Sequence, residues 1–281
     1  MTPRPNQPLL LVNPMSGGGK AEHHDLVGEC RARGIEPVVL ERSDDLSTLA
    51  TAAVLGGADV IGMAGGDGSQ ALVASIAAEH DVPYVCVPAG TRNHFAFDIG
   101  IDRADVVGAL DAFLDGSEQR IDLARVNGRV FVNNVSMGLY GRVVQSQEYR
   151  DAKLRTVIET LPELLGPGAE PFDLRFTGPD GSDYASAQLL LVSNNRYQPS
   201  PPGTQGNRRG MDQGTLGVVA VGIGPPFPGW REWTTPTFRV DSGTTVNVGV
   251  DGEALAIDPP LVFDSLPSAL RIRTPIRRQH R

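Results

Sequence analysis

Cysteine is scarce in this sequence: Cys30 and Cys86 are the only two. So placed, they provide neither a disulfide framework nor the spacing of a structural metal site. Long apolar runs are missing as well. Leu9–Val12 is too short for the core of a signal peptide, and no stretch approaches the ~20 residues of a membrane-spanning helix. The expectation is a soluble, cytoplasmic protein. Positive charge is in deficit, with 25 Lys and Arg against 33 Asp and Glu and a formal net charge of −8. That balance argues against nucleic-acid binding, and any attraction to an anionic membrane must be local. Arg271, Arg273, Arg277, Arg278 and Arg281 form the one clear basic cluster and read as a solvated terminus. The remaining composition is that of a globular chain, and 281 residues are enough for two domains.

What is present is organised around Val60–Ala64 and the turn after it, Gly65-Gly66-Asp67-Gly68-Ser69. An apolar run that breaks into glycines and resumes as Gln70–Ile76 reads as strand, tight turn and helix, the helix reaching about Glu79. Successive amide N–H groups at such a turn, backed by a helix N-terminus, form an anion-binding concavity. Asp67 inside an anion site makes sense if a divalent cation lies between carboxylate and phosphate. An ordinary strand-to-helix turn is the competing reading.

Two more loops resemble this one in placement. Leu9–Val12 reads as a strand buried on both faces and ends in Asn13-Pro-Met-Ser16-Gly17-Gly-Gly-Lys20. Tyr84–Val87 reads as a strand leading into Pro88-Ala-Gly90-Thr91-Arg-Asn93-His94-Phe-Ala96. Between them, Glu22–Arg33 is predicted helical and stopped by Gly34, Ile35–Leu40 extended, and Ser43 is placed as the N-cap of a helix through Leu55. Strands alternating with helices predict a parallel α/β sheet whose three polar loops all leave carboxyl ends, where open sheets of this kind bind ligands.

Past Asp122 the pattern changes. Arg129–Val135, Phe172–Thr177, Ala187–Ser193, Leu216–Ile223 and Thr245–Val250 read as short strands, with one amphipathic helix over Lys153–Leu165 and a long mobile loop over Pro199–Gly210. The prediction is an α/β N-terminal domain over 1–121, with a parallel sheet, and a mostly antiparallel β domain over 122–281. The C-terminal segment is allowed to pack back on the first domain. Asp251-Gly252-Glu253 is a strong hairpin-turn signal, and such a turn can also aim a carboxylate.

These loops, in this order, resemble the catalytic domain of the diacylglycerol kinase family, which includes sphingosine and ceramide kinases and bacterial lipid kinases. Asn13-Pro-x-Ser16-Gly17 is similar to its first loop, Gly65–Ser69 to its GGDGT, and Pro88–Ala96 to its P-x-G-T-x-N-D-F-A. Arg120-Ile-Asp122-Leu, Asn133-Asn134-Val-Ser-Met-Gly138, Asn195-Arg-Tyr197 and Asp251-Gly252-Glu253 fall at matching places. GGDG alone also occurs in NAD kinases and phosphofructokinases, and the fold expected is that of the NAD kinase and diacylglycerol kinase group. The resemblance implies ATP and Mg²⁺ as cosubstrates and a lipid with a free hydroxyl as acceptor. It implies that Asn13, Ser16, Gly17, Ser43, Gly65, Gly66, Asp67, Gly68, Ser69, Gly90, Thr91 and Asn93 hold the nucleotide. Asp67 and Asp122 would join a metal–water network, and Glu253, with Asp251 beside it, would be the general base.

Three departures stand out: His94 for the family's Asp, Ala71-Leu72 where many bacterial members carry Asn-Glu, and Asp212-Gln213-Gly214 for Asp-Asp-Gly. A sensor that has lost catalysis and a kinase of a soluble small molecule are the alternatives. Phe227, Trp230 and Trp233, read as rings on a Pro-rich irregular loop, suggest transient contact with a membrane surface at its inner face. The competing reading packs them as a satellite core. A homodimer is left open.

Overall fold

The computed structural model describes residues 4–139, 172–185, 187–198, 208, 210–222 and 229–276. They belong to two compact units, Met1–Leu123 with Gly210–Gln213 and Pro267–Arg281, and Ala124–Arg209 with Gly214–Leu266.

In the first unit the apolar runs become parallel strands. β1 (Pro8–Val12) lies between β2 (Glu36–Val39) and β3 (Val60–Ala64), and β4 (Tyr84–Val87) follows β3 in the same direction. Every residue of β3 and β4 is buried, as a central parallel strand requires. α1 (Lys20–His23), α2 (Leu26–Ala32), α3 (Leu46–Leu55) and α4 (Asp67–Glu79) supply the crossovers. α5 (His94–Asp98) and α6 (Asp111–Asp115) are short. The helix predicted over Glu22–Arg33 is two helices, because Asp25 turns left-handed (φ 44°) and caps the second through the Gly28 N–H. Ser43 is not the N-cap of α3. Asp45 is, accepting the Thr48 N–H at 3.1 Å, while Ser43 sits in the preceding turn. α4 begins at Asp67, so the predicted turn includes the helix's first residues.

The basic tail is corrected in its described part, while Arg277, Arg278 and Arg281 lie outside the described residues. Arg271 and Arg273 lie on the long strand β16 (Leu261–Pro275), after β5 (Gly116–Val126) and ten further strands in chain order, and Ile272 and Arg273 pair in parallel with Tyr84 and Val85. Arg273 is only 3% exposed, and both arginines pair with Glu118 of β5. Leu270 and Ile272 fill the core on either side of Arg271, the period-2 pattern of a strand.

In the second unit, a six-stranded antiparallel sheet runs in the order β12 (Gly229–Thr235), β11 (Leu216–Gly222), β10 (Leu189–Asn194), β7 (Asn134–Gly138), β14 (Val246–Val250), β15 (Glu253–Ile257). The single strand predicted over Arg129–Val135 is split into β6 (Arg129–Phe131) and β7 by the bend at Val132-Asn133. Phe172–Thr177 is extended as isolated bridges at Phe172 and Arg175 and as β8 (Phe176–Thr177), which pairs with β9 (Asp183–Tyr184). One core packs Val135, Met137, Leu190, Val192, Val218, Ala220 and Val248 of the large sheet against Phe131, Phe263 and, from β13 (Thr237–Val240), Phe238 and Val240. The predicted helix over Lys153–Leu165, and Phe227, lie outside the described residues.

Trp230 and Trp233 stand on a regular strand, β12, rather than on an irregular loop. Alternation separates them: Trp233 stacks on Phe176 (6.2 Å between centroids) and meets Phe238 edge-on, whereas Trp230 is 47% exposed. Among the described residues, no helix is long and apolar enough to cross a membrane.

Candidate active site

In the first unit the three glycine-rich loops meet backbone to backbone at the carboxyl ends of β1, β3 and β4. Gly17 has φ 58°, and a Cβ there would lie 2.4 Å from the Ala89 carbonyl oxygen. A Cβ on Gly90 would lie 2.5 Å from Cα of Gly66. Only glycine permits these approaches, so part of the glycine content serves to pack loop on loop.

Polar side chains lock the same junction. Asn93, itself left-handed (φ 53°), accepts the Gly90 N–H at 2.9 Å and donates to the carbonyls of Pro88 (3.0 Å) and Gly90 (2.9 Å). Lys20 Nζ donates to the Gly90 carbonyl at 2.9 Å. Asn13 takes the Met15 N–H at 3.0 Å in an Asx turn, and its own N–H bonds the Ala64 carbonyl at the end of β3. Gln70, 2% exposed, donates to the carbonyls of Met63 (2.9 Å) and Val87 (3.0 Å), bonds the Tyr84 hydroxyl, and so ties the ends of β3 and β4. Neither Lys20 nor Gln70 was singled out from the sequence. A lone amide on the apolar face Ala71, Val73, Ala74 was the available signal for the second.

Asp67 is buried, and its two oxygens accept the N–H groups of His94 (3.2 Å) and Phe95 (3.0 Å), the first residues of α5. The carboxylate therefore holds the third loop in place across the helix start. Burial pushes the His94 imidazole below its usual range, an effect the Asp67 charge opposes and the Arg92 charge assists, so it is neutral at neutral pH. Asp122 is fully buried on β5, where its Oδ1 accepts the Ser268 N–H at 2.8 Å. Among the described residues, no three His, Cys, Asp or Glu side chains cluster to hold a metal ion. A divalent ion bound here would have to take most of its ligands from phosphate and water, as Mg²⁺ commonly does.

The donor set fits phosphates better than it fits a caged metal. The N–H groups of Asp67, Gly68 and Ser69 open α4 without a helical acceptor, and beside them a Cβ on Gly66 would meet nothing within 4 Å. The hydroxyls of Ser16, Ser69 and Thr91 lie on the same three loops. Ser43 lies in the turn before α3, outside these three loops.

In the second unit, Asp251 (φ 48°) and Gly252 (φ 90°) form the two-residue turn between β14 and β15, both left-handed as a type I′ hairpin demands. The Asp251 carboxylate accepts the N–H groups of Val132 (2.9 Å), Asn133 (2.8 Å) and Asn134 (3.1 Å). Glu253 is exposed and pairs with Arg129 at 3.1 Å. Behind the bend lies Arg208, 1% exposed, which the sequence placed in a mobile loop; its guanidinium bonds the carbonyls of Val132 and Asn194. No local pattern foretells that arginine.

Residues 7–126 match the family model described as the diacylglycerol kinase catalytic domain. A diacylglycerol kinase of Mycobacterium tuberculosis (strain CDC 1551 / Oshkosh) is 31% identical over 194 residues, 65% of this chain and 62% of that protein. One of Bacillus subtilis (strain 168) is 34% identical over 123 residues, 43% of this chain and 40% of that protein. The matched region thus spans less than two thirds of these relatives. A solved structure of a diacylglycerol kinase from Bacillus anthracis str. Sterne superposes with a TM-score of 0.68 at 19% identity, over 97% of this chain and 98% of that one. Residues 7–126, which carry the three loops at the carboxyl ends of β1, β3 and β4, are thus similar to the diacylglycerol kinase catalytic domain.

Proposed function

We propose that this protein is a kinase that moves the γ-phosphoryl group of ATP to a hydroxyl of diacylglycerol or a similar lipid. The observation that carries the reading is the junction of three glycine-rich loops around the open N-terminus of α4, within the segment that matches the family model. Phosphoryl transfer needs positioning and charge neutralisation more than covalent help. Asn13, Ser16, Gly17, Gly65–Ser69, Gly90, Thr91 and Asn93 would hold the nucleotide, by backbone N–H groups and hydroxyls, with Asn93 and Asp67 fixing the loops themselves. Mg²⁺ would neutralise phosphate charge, with Asp67 and Asp122 acting on it through water.

Glu253 would accept the proton of the acceptor hydroxyl as that oxygen attacks the γ-phosphorus. The bond from the γ-phosphorus to the bridging oxygen breaks and ADP leaves. Its exposure leaves the carboxylate reachable, and a pair of exposed charges such as Glu253–Arg129 is weak enough to open. The exposed Trp230 on the edge strand β12 supports transient docking on a membrane surface, with an apolar ring body and a donor that stays wet.

The test is label transfer from γ-labelled ATP with a total lipid extract, with and without Mg²⁺. Labelled lipid only in the presence of the metal is expected. Label confined to water-soluble products would move the assignment to a small-molecule kinase, and no transfer at all would remove it.

A further inference from the structure

Arg208 and Asp251 grip the same two peptide groups from opposite sides. The peptide joining Val132 to Asn133 offers its carbonyl to Arg208 Nη1 at 2.6 Å and its N–H to Asp251 at 2.8 Å. The next peptide, Asn133 to Asn134, does the same, at 3.3 Å and 3.1 Å. Arg208 also reaches the Asn133 side-chain oxygen (2.8 Å) and the Asn194 carbonyl (2.8 Å), and its guanidinium lies 5.4 Å from the Tyr197 ring. The Tyr197 hydroxyl in turn accepts from the Asn134 amide at 3.1 Å.

Two peptide dipoles thus lie between a guanidinium and a carboxylate, each oriented so that both charges are satisfied. Hydrogen bonds in such a chain polarise one another, and a buried charge left without its partner is costly. Asp251 is half of the hairpin turn whose next residue but one is Glu253, and its own N–H bonds the Asn134 carbonyl at 3.0 Å. Whatever fixes the 132–134 bend therefore fixes the turn.

We propose that Arg208 is a positioning residue for Glu253, acting through the shared peptides 132–133 and 133–134 and through Asp251. Its catalytic consequence rests on the reading of Glu253 as general base, but the mechanical coupling does not. The planar fork spans several carbonyls at once, which a lysine ammonium cannot reproduce.

Amide hydrogen exchange on the full chain separates the two layers. In Arg208→Lys and in Asp251→Asn, the amides of Asn133, Asn134 and Asp251 should exchange at least about tenfold faster, while those of α4 keep their rates. Unchanged exchange at the bend in both variants overturns the proposal, and equal acceleration in α4 does so too, since it reports general loosening. Turnover then tests the consequence. Arg208→Lys should lower kcat with KM for ATP unchanged, and should cost nothing further in a Glu253→Gln background, because residues acting as a unit are not additive. Fully additive losses would overturn the positioning role. If Glu253→Gln alone leaves kcat intact, the general-base reading falls, and the exchange result still decides the coupling.

Discussion

Both units hold a carboxylate by backbone N–H groups, yet they do so over very different stretches of chain. Asp67 reaches residues 27 and 28 positions away, His94 and Phe95, between successive strand–loop–helix units of one parallel sheet. Asp251 reaches Val132, Asn133 and Asn134 from 119, 118 and 117 positions away. In the first case the carboxylate organises loops that would hold a ligand. In the second it locks a turn that carries another carboxylate. The same bond type serves a binding cradle in one place and an aiming device in the other.

The comparison is broken most severely by Asp67→Asn. One of its two amides would then face an NH₂ group, and the negative charge behind the third loop is gone. Activity should fall at least about a hundredfold with the fold retained. Near-normal turnover would mean the loops do not depend on that carboxylate.

The apolar counterpart of the comparison is the tryptophan pair on β12. Trp233→Ala removes a ring stacked on Phe176 and edge-on to Phe238 and should destabilise the protein by about 2–4 kcal/mol in urea unfolding. Trp230→Ala should change stability by less than about 0.5 kcal/mol and instead weaken vesicle binding. A large stability loss for Trp230→Ala would make both rings core.

The smallest expected effect is electrostatic. Burial holds the folded-state pKa of His94 below the usual 6.5, so the unfolded chain binds the proton more readily. Stability from this group is complete above about pH 6.5 and is lost as pH falls toward the depressed folded value. His94→Gln should flatten that part of the melting-temperature profile; an unchanged slope would assign it to other groups.

The same contrast explains what the sequence could reveal. β1, β3, β4 and their loops were legible because an apolar run ending in glycines is a local signal, with the partners following in order. The hairpin at Asp251-Gly252 was legible for the same reason. Arg208 was not, since its partners Val132 and Asn194 are brought to it only by the assembled sheet. Nor was β16, whose Pro267 and left-handed Ser268 interrupt the alternation and whose arginines mimic a solvated tail. Ser43 lost the cap of α3 to Asp45 because two competing cap residues stood within one turn.

The division of labour between the two units can be tested in one paired experiment, measuring nucleotide affinity and turnover for Asp67→Asn and Glu253→Gln side by side. The account predicts that Asp67→Asn loses both. Glu253→Gln should keep its nucleotide affinity while kcat drops by roughly a hundred- to ten-thousandfold. A Glu253→Gln protein that turns over normally, or that loses nucleotide binding instead, would contradict it.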